Sequence, residues 1–315
     1  MNLRHATGPA LIVAAAVCLS GCSSASSGSS AAVAGSSSVP SAPTVNASVA
    51  PTEGLTEGMV LPLEAYMESS QENLTLENGH LALESRCMAR YGFNVPGHVT
   101  DQAAPPGSDG ANMARRYGIS DLAQARQYGY HLVTPPPTSS NAASAVGTPA
   151  LRSVMFGSTT NASGKKIALT QYDGISVPAG GCYAQAGQQI GDASLSTDLP
   201  NKLDLESMDR STADPRVQAV LAKWSACMAG KGYKIDSPLH TDTLVPNINT
   251  PEPSASEIQV AVADVTCKQS TGLIATWFKV ETGIQKTLIA QNQLALQQEA
   301  TTLNDAVKRA AALAG

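Results

Sequence analysis

The 315-residue chain has few aromatic residues (4%) and few charged ones (14%), with only three phenylalanines and two tryptophans. A core this short of rings has to be built from small and aliphatic side chains. With abundant alanine and glutamine, that composition points to helices. Lysine and arginine are scattered, and no basic or aromatic cluster of the kind that binds nucleic acid or an anionic lipid surface occurs. No cysteine sits in a Cys-x-x-Cys pair and no histidine lies near one, which argues against a thioredoxin-like redox centre and a structural metal site. Neither Ser-Asp-Asn nor Lys-Thr-Gly accompanies the one Ser-x-x-Lys match, Ser163 to Lys166, which lies in a turn-like polar stretch and reads as chance. Gly157 to Lys165 fails as a phosphate loop, because six residues separate its glycines where four are needed.

The N-terminus reads as a targeting signal. Arg4 and His5 precede an apolar run, Ala10 to Leu19, that is too short for a stable bilayer span. The run ends in Leu19-Ser20-Gly21-Cys22, the lipobox pattern of bacterial lipoproteins, in which small residues suit the peptidase and the cysteine thiol takes the diacylglyceryl group. Residues 1–21 are thus expected to be a signal peptide, lost together with Cys18. Cys22 becomes the lipidated (palmitate-bearing) membrane anchor at the outer face of the plasma membrane, facing the cell wall. Losing Arg4 takes the net charge from −5 to −6. Residues 22–58, rich in Ser, Ala, Gly, Pro and Thr, read as a disordered tether with a reach of roughly 30–35 Å.

The rest, 59–315, is organised around a repeated stretch. Cys87-Met-Ala-Arg-Tyr-Gly92-Phe93 recurs 140 positions later (227 − 87) as Cys227-Met-Ala-Gly-Lys-Gly232-Tyr233. Each copy has a further cysteine downstream, Cys182 and Cys267. An even count in an exported chain argues for two disulfides; three pairings are possible, and the echo favours Cys87–Cys182 and Cys227–Cys267. Those bridges would close 95 and 40 positions and contribute ~3–5 kcal/mol each in the loop-entropy account. The expectation is a mainly α, disulfide-braced domain of two imperfectly repeated halves, about 59–200 and 201–315, with a long C-terminal helix.

Along the chain, Pro62 to Tyr91 predicts one or two helices with Asn78-Gly79 as a break, and Gly92 as a C-terminal cap. A second helix is expected over Ala111 to Tyr128 and carries Met113, Tyr117, Leu122 and Ala125 inward. Ile167–Thr170 and Ile175–Val177 form a candidate hairpin around Asp173-Gly174. Cys182 opens a helix, and Asp214-Pro215 opens another with Val217, Val220, Leu221, Trp224 and Cys227 on a buried stripe. Ser254-x-x-Glu257 is a capping box. In the last segment, Leu273 to Ala314, Ile289, Leu296, Leu303 and Ala310 repeat every seven residues. That pattern reads first as a long helix laid on its own domain, with a coiled-coil arm as the alternative. Trp277 and Phe278 are adjacent, so one of them could line a groove.

The remaining polar candidates read as solvated groups. His80, His98, His131 and His240 are taken as surface or loop residues. The acidic run Asp198, Asp204, Glu206, Asp209 and Asp214 lacks the alternating register of a calcium loop and reads as a solvated loop. The echoed cysteine segment, Val177-Pro-Ala-Gly-Gly-Cys182 and Val260-Ala-Val-Ala-Asp264-Val-x-Cys267-Lys resemble uncharacterised actinobacterial secreted lipoproteins. The resemblance covers most of the chain after the tether and implies an anchored, wall-facing protein without assigning an activity. No catalytic residue, metal or cofactor is expected. The functional expectation is a non-enzymatic binding or interaction module of the envelope, with a protein or wall partner on the C-terminal helix. The alternative is a small-ligand (solute or wall-fragment) binding protein with a cleft between the halves, and a wall hydrolase ranks last.

Overall fold

The computed structural model describes residues 50–98, 107–108, 110–132, 147–191, 195, 198–245 and 250–314. The signal peptide, the Leu19–Cys22 tetrad and tether residues 22–49 lie outside the described residues. The last part of the expected tether, 50–58, belongs to the folded body. Thr56 is buried with its hydroxyl 3.1 Å from that of Ser120, and the Leu55 N–H donates to the Ser120 carbonyl at 3.0 Å.

The described chain is mainly helical. A short 3-10 turn at Pro62–Tyr66 precedes α1, Ser70–Ala89. α1 opens with a full capping box: Ser69 accepts from the Glu72 N–H, and Glu72 accepts from the Ser69 N–H. It runs through Asn78-Gly79 without a break. Gly79 is there because α8 crosses it; a Cβ on Gly79 would stand 2.6 Å from the Ala310 Cβ and 2.7 Å from the Ala310 Cα.

The expected helix over 111–128 is shorter. Asn112 and Gly118 adopt positive φ, so only α2, Leu122–Tyr128, is helical, with Asp121 as its N-cap. Met113, Tyr117 and Ala125 still point inward. Then come α3, Pro149–Phe156, and two small hairpins. β1, Ser158–Thr160, pairs with β2, Lys166–Ala168; β3, Gln171–Tyr172, pairs with β4, Ile175–Ser176. Asp173-Gly174 turns the second hairpin with both residues at positive φ, but Ile167 pairs with β1 rather than across this turn.

α4 is Gly181–Ile190, α5 Asp198–Thr212 and α6 Pro215–Gly230. α7, Ala255–Thr271, ends on the left-handed Gly272, and α8, Leu273–Ala314, follows directly. The acidic run is therefore mostly α5 rather than a loop. Asp214 caps α6 by accepting from the Arg216 N–H. Ser254 caps α7, but Glu257 does not reciprocate, because its carboxylate is engaged elsewhere.

Two disulfides link the helices in the pairing that the echo favours. Cys87 of α1 joins Cys182 in the first turn of α4, and Cys227 of α6 joins Cys267 of α7. The two echoed turns close with matching hydrogen bonds. Phe93 and Tyr233 N–H donate to the Met88 and Met228 carbonyls, and the Ser85 and Ser225 hydroxyls donate to the Val95 and Ile235 carbonyls.

α8 acts as the spine. Its first turns (Leu273, Ile274, Trp277, Val280) enter the main core with Trp224, Met228 and Tyr117. Its middle (Leu288, Leu296, Ala300) packs with Leu63, Tyr66 and Leu203, and its end (Leu303, Ala306, Ala310) with Leu76, Leu83 and Ile190. Of the heptad positions, Leu296, Leu303 and Ala310 are buried in this way and Ile289 partly. Trp277 is fully buried and Phe278 packs on the core, so neither opens a groove. None of the described helices is long and apolar enough to cross a membrane.

Candidate functional site

Three polar centres lie in the body, and solvent access separates them. The first ties residues 111–117 to α5 and α8. Arg116 bonds Glu281 at 2.5 Å and Asp204 at 2.7 Å, while the Tyr117 hydroxyl donates to Glu281 at 2.8 Å. Ser207 donates to Glu281, and the Gln285 amide donates to Asp204 and Ser207 while accepting from the Leu63 N–H. Burial works against the Arg116 charge, yet the hydrogen bonds and charges of Glu281 and Asp204 outweigh it and raise the guanidinium pKa. Burial also raises Asp204, against the pull of Arg116.

The second centre pairs Asp264 with Lys268 at 3.0 Å, both fully enclosed. Trp224 Nε1 and the Tyr130 hydroxyl donate to Asp264, and Lys268 also donates to the Ile119 carbonyl. Beside it, Glu257 accepts from the Tyr130 N–H at 2.9 Å and from His131 Nδ1 at 2.8 Å. His131 Nε2 lies 2.7 Å from the Thr250 carbonyl. A carbonyl can only accept, so the ring donates from both nitrogens and is an imidazolium. These networks satisfy their own members and hold the 111–132 segment to the helices, which makes them braces.

The third centre opens to solvent. On α1, residues 73, 76–77, 80–81 and 84 fall at three- and four-residue spacing, so their side chains share one face. Across from them stands α4, whose start is fixed twice: by Cys182 bridged to Cys87, and by close backbone contact between Gly181 and Gly157. A Cβ on Gly157 would lie 2.3 Å from the Gly181 nitrogen, so these two backbones can only meet as glycines. The contact sets Phe156, at the end of α3, beside Tyr183, the residue after the bridged cysteine.

The result is a row of rings: His80 to Tyr183 at 4.5 Å and Tyr183 to Phe156 at 5.9 Å. Tyr183 is 51% exposed and Phe156 45%. Tyr183 borders a cleft of about 400 Å³ that Glu68, Glu77, Glu84, His80 and Leu195 also line. Glu84 is only 6% exposed and accepts no hydrogen bond from a described residue; His80 Nε2 stands 3.8 Å from its carboxylate. Burial raises the Glu84 carboxyl pKa and the charge of His80 partly offsets it.

Of the residues singled out in the sequence, Cys22 lies outside the described residues, and the four other cysteines form the two bridges. Ser163 donates to Asn161 within the β1–β2 turn. No group of three or more His, Cys, Asp or Glu among the described residues could hold a metal ion. His80 lies in α1 and is nine-tenths buried, so it is neither the surface nor the loop residue expected, whereas His131 does lie in a loop, after α2, where it is paired to Glu257. Glu84 stands four residues after His80, and Lys268 four after Asp264. That spacing was the available signal for both pairs. Nothing in the sequence signalled that Tyr183 would reach His80, 103 positions away (183 − 80). The chain matches no protein family, no curated protein and no solved structure.

Proposed function

We propose that the protein is a non-enzymatic binding module of the cell envelope, held at the outer face of the plasma membrane by lipid on Cys22, with the α1–α4 cleft as its ligand site. The observation that carries this reading is the half-exposed Tyr183, its ring tilted against His80 at 4.5 Å, at the same cleft as a buried Glu84 that accepts no hydrogen bond from a described residue. Tyr183 keeps half of its ring in solvent while its contacts with His80 and Phe156 hold it in place, and Glu84 meets no described donor within hydrogen-bond distance at the same cleft. Such groups converging on one cleft mark a binding site.

The Leu19–Cys22 tetrad supports the anchor, and the resemblance to secreted lipoproteins supports the wall-facing location. The matching turns at Cys87 and Cys227 support a duplicated scaffold. The partner surface belongs at the cleft rather than on the C-terminal helix, whose heptad stripe α1, α4 and α5 already cover. The cleft lies within the first half, between α1 and α4, and not between the halves.

Co-sedimentation of the full chain with purified cell-wall material tests the reading. Retention of the native chain and at least tenfold less of the Tyr183→Ala variant is expected. Equal retention of both would remove the cleft from the function.

A further inference from the structure

The chemistry of the cleft narrows its ligand, on the assumption that it is the binding site. Among the described residues, three carboxylates line it, Glu68, Glu77 and Glu84, and neither lysine nor arginine does. Asn73 donates to Glu68 at 2.9 Å, which leaves Glu77 at the rim and Glu84 at depth facing the opening. Leu76, Ile190 and Leu195 form the apolar part of the wall, and the Tyr183 ring covers one side. A buried carboxylate calls for a cation with N–H donors, the apolar wall for an aliphatic stem, and the ring face attracts a cation within about 6 Å. A neutral sugar would use the ring but leave Glu84 without a charged donor. An anion would meet three like charges.

We propose that the cleft binds a primary alkylammonium group carried on an aliphatic stem, with the ammonium on Glu84 and the stem against Leu76, Ile190 and Tyr183. A lysine-like side chain of a peptide and a free polyamine share this chemistry. On entry, the ammonium takes the hydrogen bonds that His80, at 3.8 Å, does not supply to Glu84.

Calorimetric titration of the full chain decides the matter with four probes: Nα-acetyl-lysine amide, its Nε-acetylated form, cadaverine and chitobiose. Saturable binding of the lysine derivative or of cadaverine is expected, with the tighter of the two identifying the source. Nε-acetylation and Glu84→Gln should each weaken binding at least tenfold, and Glu77→Gln less. The acetylated probe tests the charge without any mutation, so a folding defect in a variant cannot mask the answer. Equal binding of the acetylated and free amines overturns the ammonium assignment, as does binding of chitobiose alone, which leaves the cleft as a site for neutral rings. Binding of none of the four overturns the ammonium assignment; if Tyr183→Ala also leaves wall retention unchanged, the cleft reading falls with it.

Discussion

At the scale of single residues, His131 shows how far a side chain can depart from its reading in sequence. Its ring donates from both nitrogens, to Glu257 and to the Thr250 carbonyl, an arrangement that requires the protonated form. The Glu257 hydrogen bond raises the His131 pKa above its ordinary value of 6.5, against the opposing effect of burial. A histidine raised on folding contributes stability that is fully present below its unfolded pKa and is lost as pH climbs through the folded one. The melting temperature of the native chain should therefore fall as pH rises from 6 toward 9, and His131→Gln should be lower at pH 6 and show a shallower fall. Parallel profiles for the two proteins would rule out the His131–Glu257 pair as a pH-dependent brace.

At the scale of elements, helix ends were legible in the sequence and helix interiors less so. Asp214-Pro215, Ser254 and the Gly92 turn act as caps because capping is local chemistry, complete within four residues. The two cysteine pairs were legible for a similar reason, since the repeated motif marks their likeness. Gly79 reads as a break in sequence, but its reason is tertiary: Ala310 lies against it. Alanine there would gain ~0.5–1 kcal/mol of helix propensity, but the clash with the Ala310 backbone should cost more, ~1–3 kcal/mol. Gly79→Ala is expected to be destabilising overall in denaturant unfolding, whereas a stabilised variant would show that the helices can move apart freely.

The same logic bears on α8. A stripe of Leu296, Ala300, Leu303 and Ala306 every three to four residues can face a partner or the chain itself, and periodicity does not say which. Here it faces the chain. Ending the chain after Ala290 removes these buried contacts; the two leucines alone cost ~2–5 kcal/mol each when truncated, against a domain stability of ~5–15 kcal/mol. Loss of α1 protection in hydrogen exchange is the expected outcome. A truncated chain with α1 still protected would return α8 to the role of a separable arm.

At the scale of the whole molecule, two bridges brace different parts of the same body, and only one of them serves the cleft. In the loop-entropy account, opening Cys227–Cys267 costs ~4 kcal/mol and opening Cys87–Cys182 ~5 kcal/mol, so the two should be similar in stability terms. They should differ in ligand capture. The Cys87→Ala, Cys182→Ala variant frees the start of α4, where Tyr183 sits, and is expected to lose wall retention. The Cys227→Ala, Cys267→Ala variant should keep it at a temperature where both are folded. Equal loss in both would mean that general loosening, and not the placement of Tyr183, governs binding. The buried network of Arg116 is not legible at any local scale, because Asp204 lies 88 positions away (204 − 116); in the Asp264 network only Lys268, four residues on, is local, and Tyr130 lies 134 positions away (264 − 130).

The meeting of Gly79 with Ala310 also sets an order of events in time. The first long helix finds its groove only near the end of α8, 231 positions further on (310 − 79). A growing chain cannot seal that seam until residue 310 has been made, so the seam closes long after α1 itself has emerged. Until then, α4 can cover α1 from one side, and the groove at Gly79 stays open.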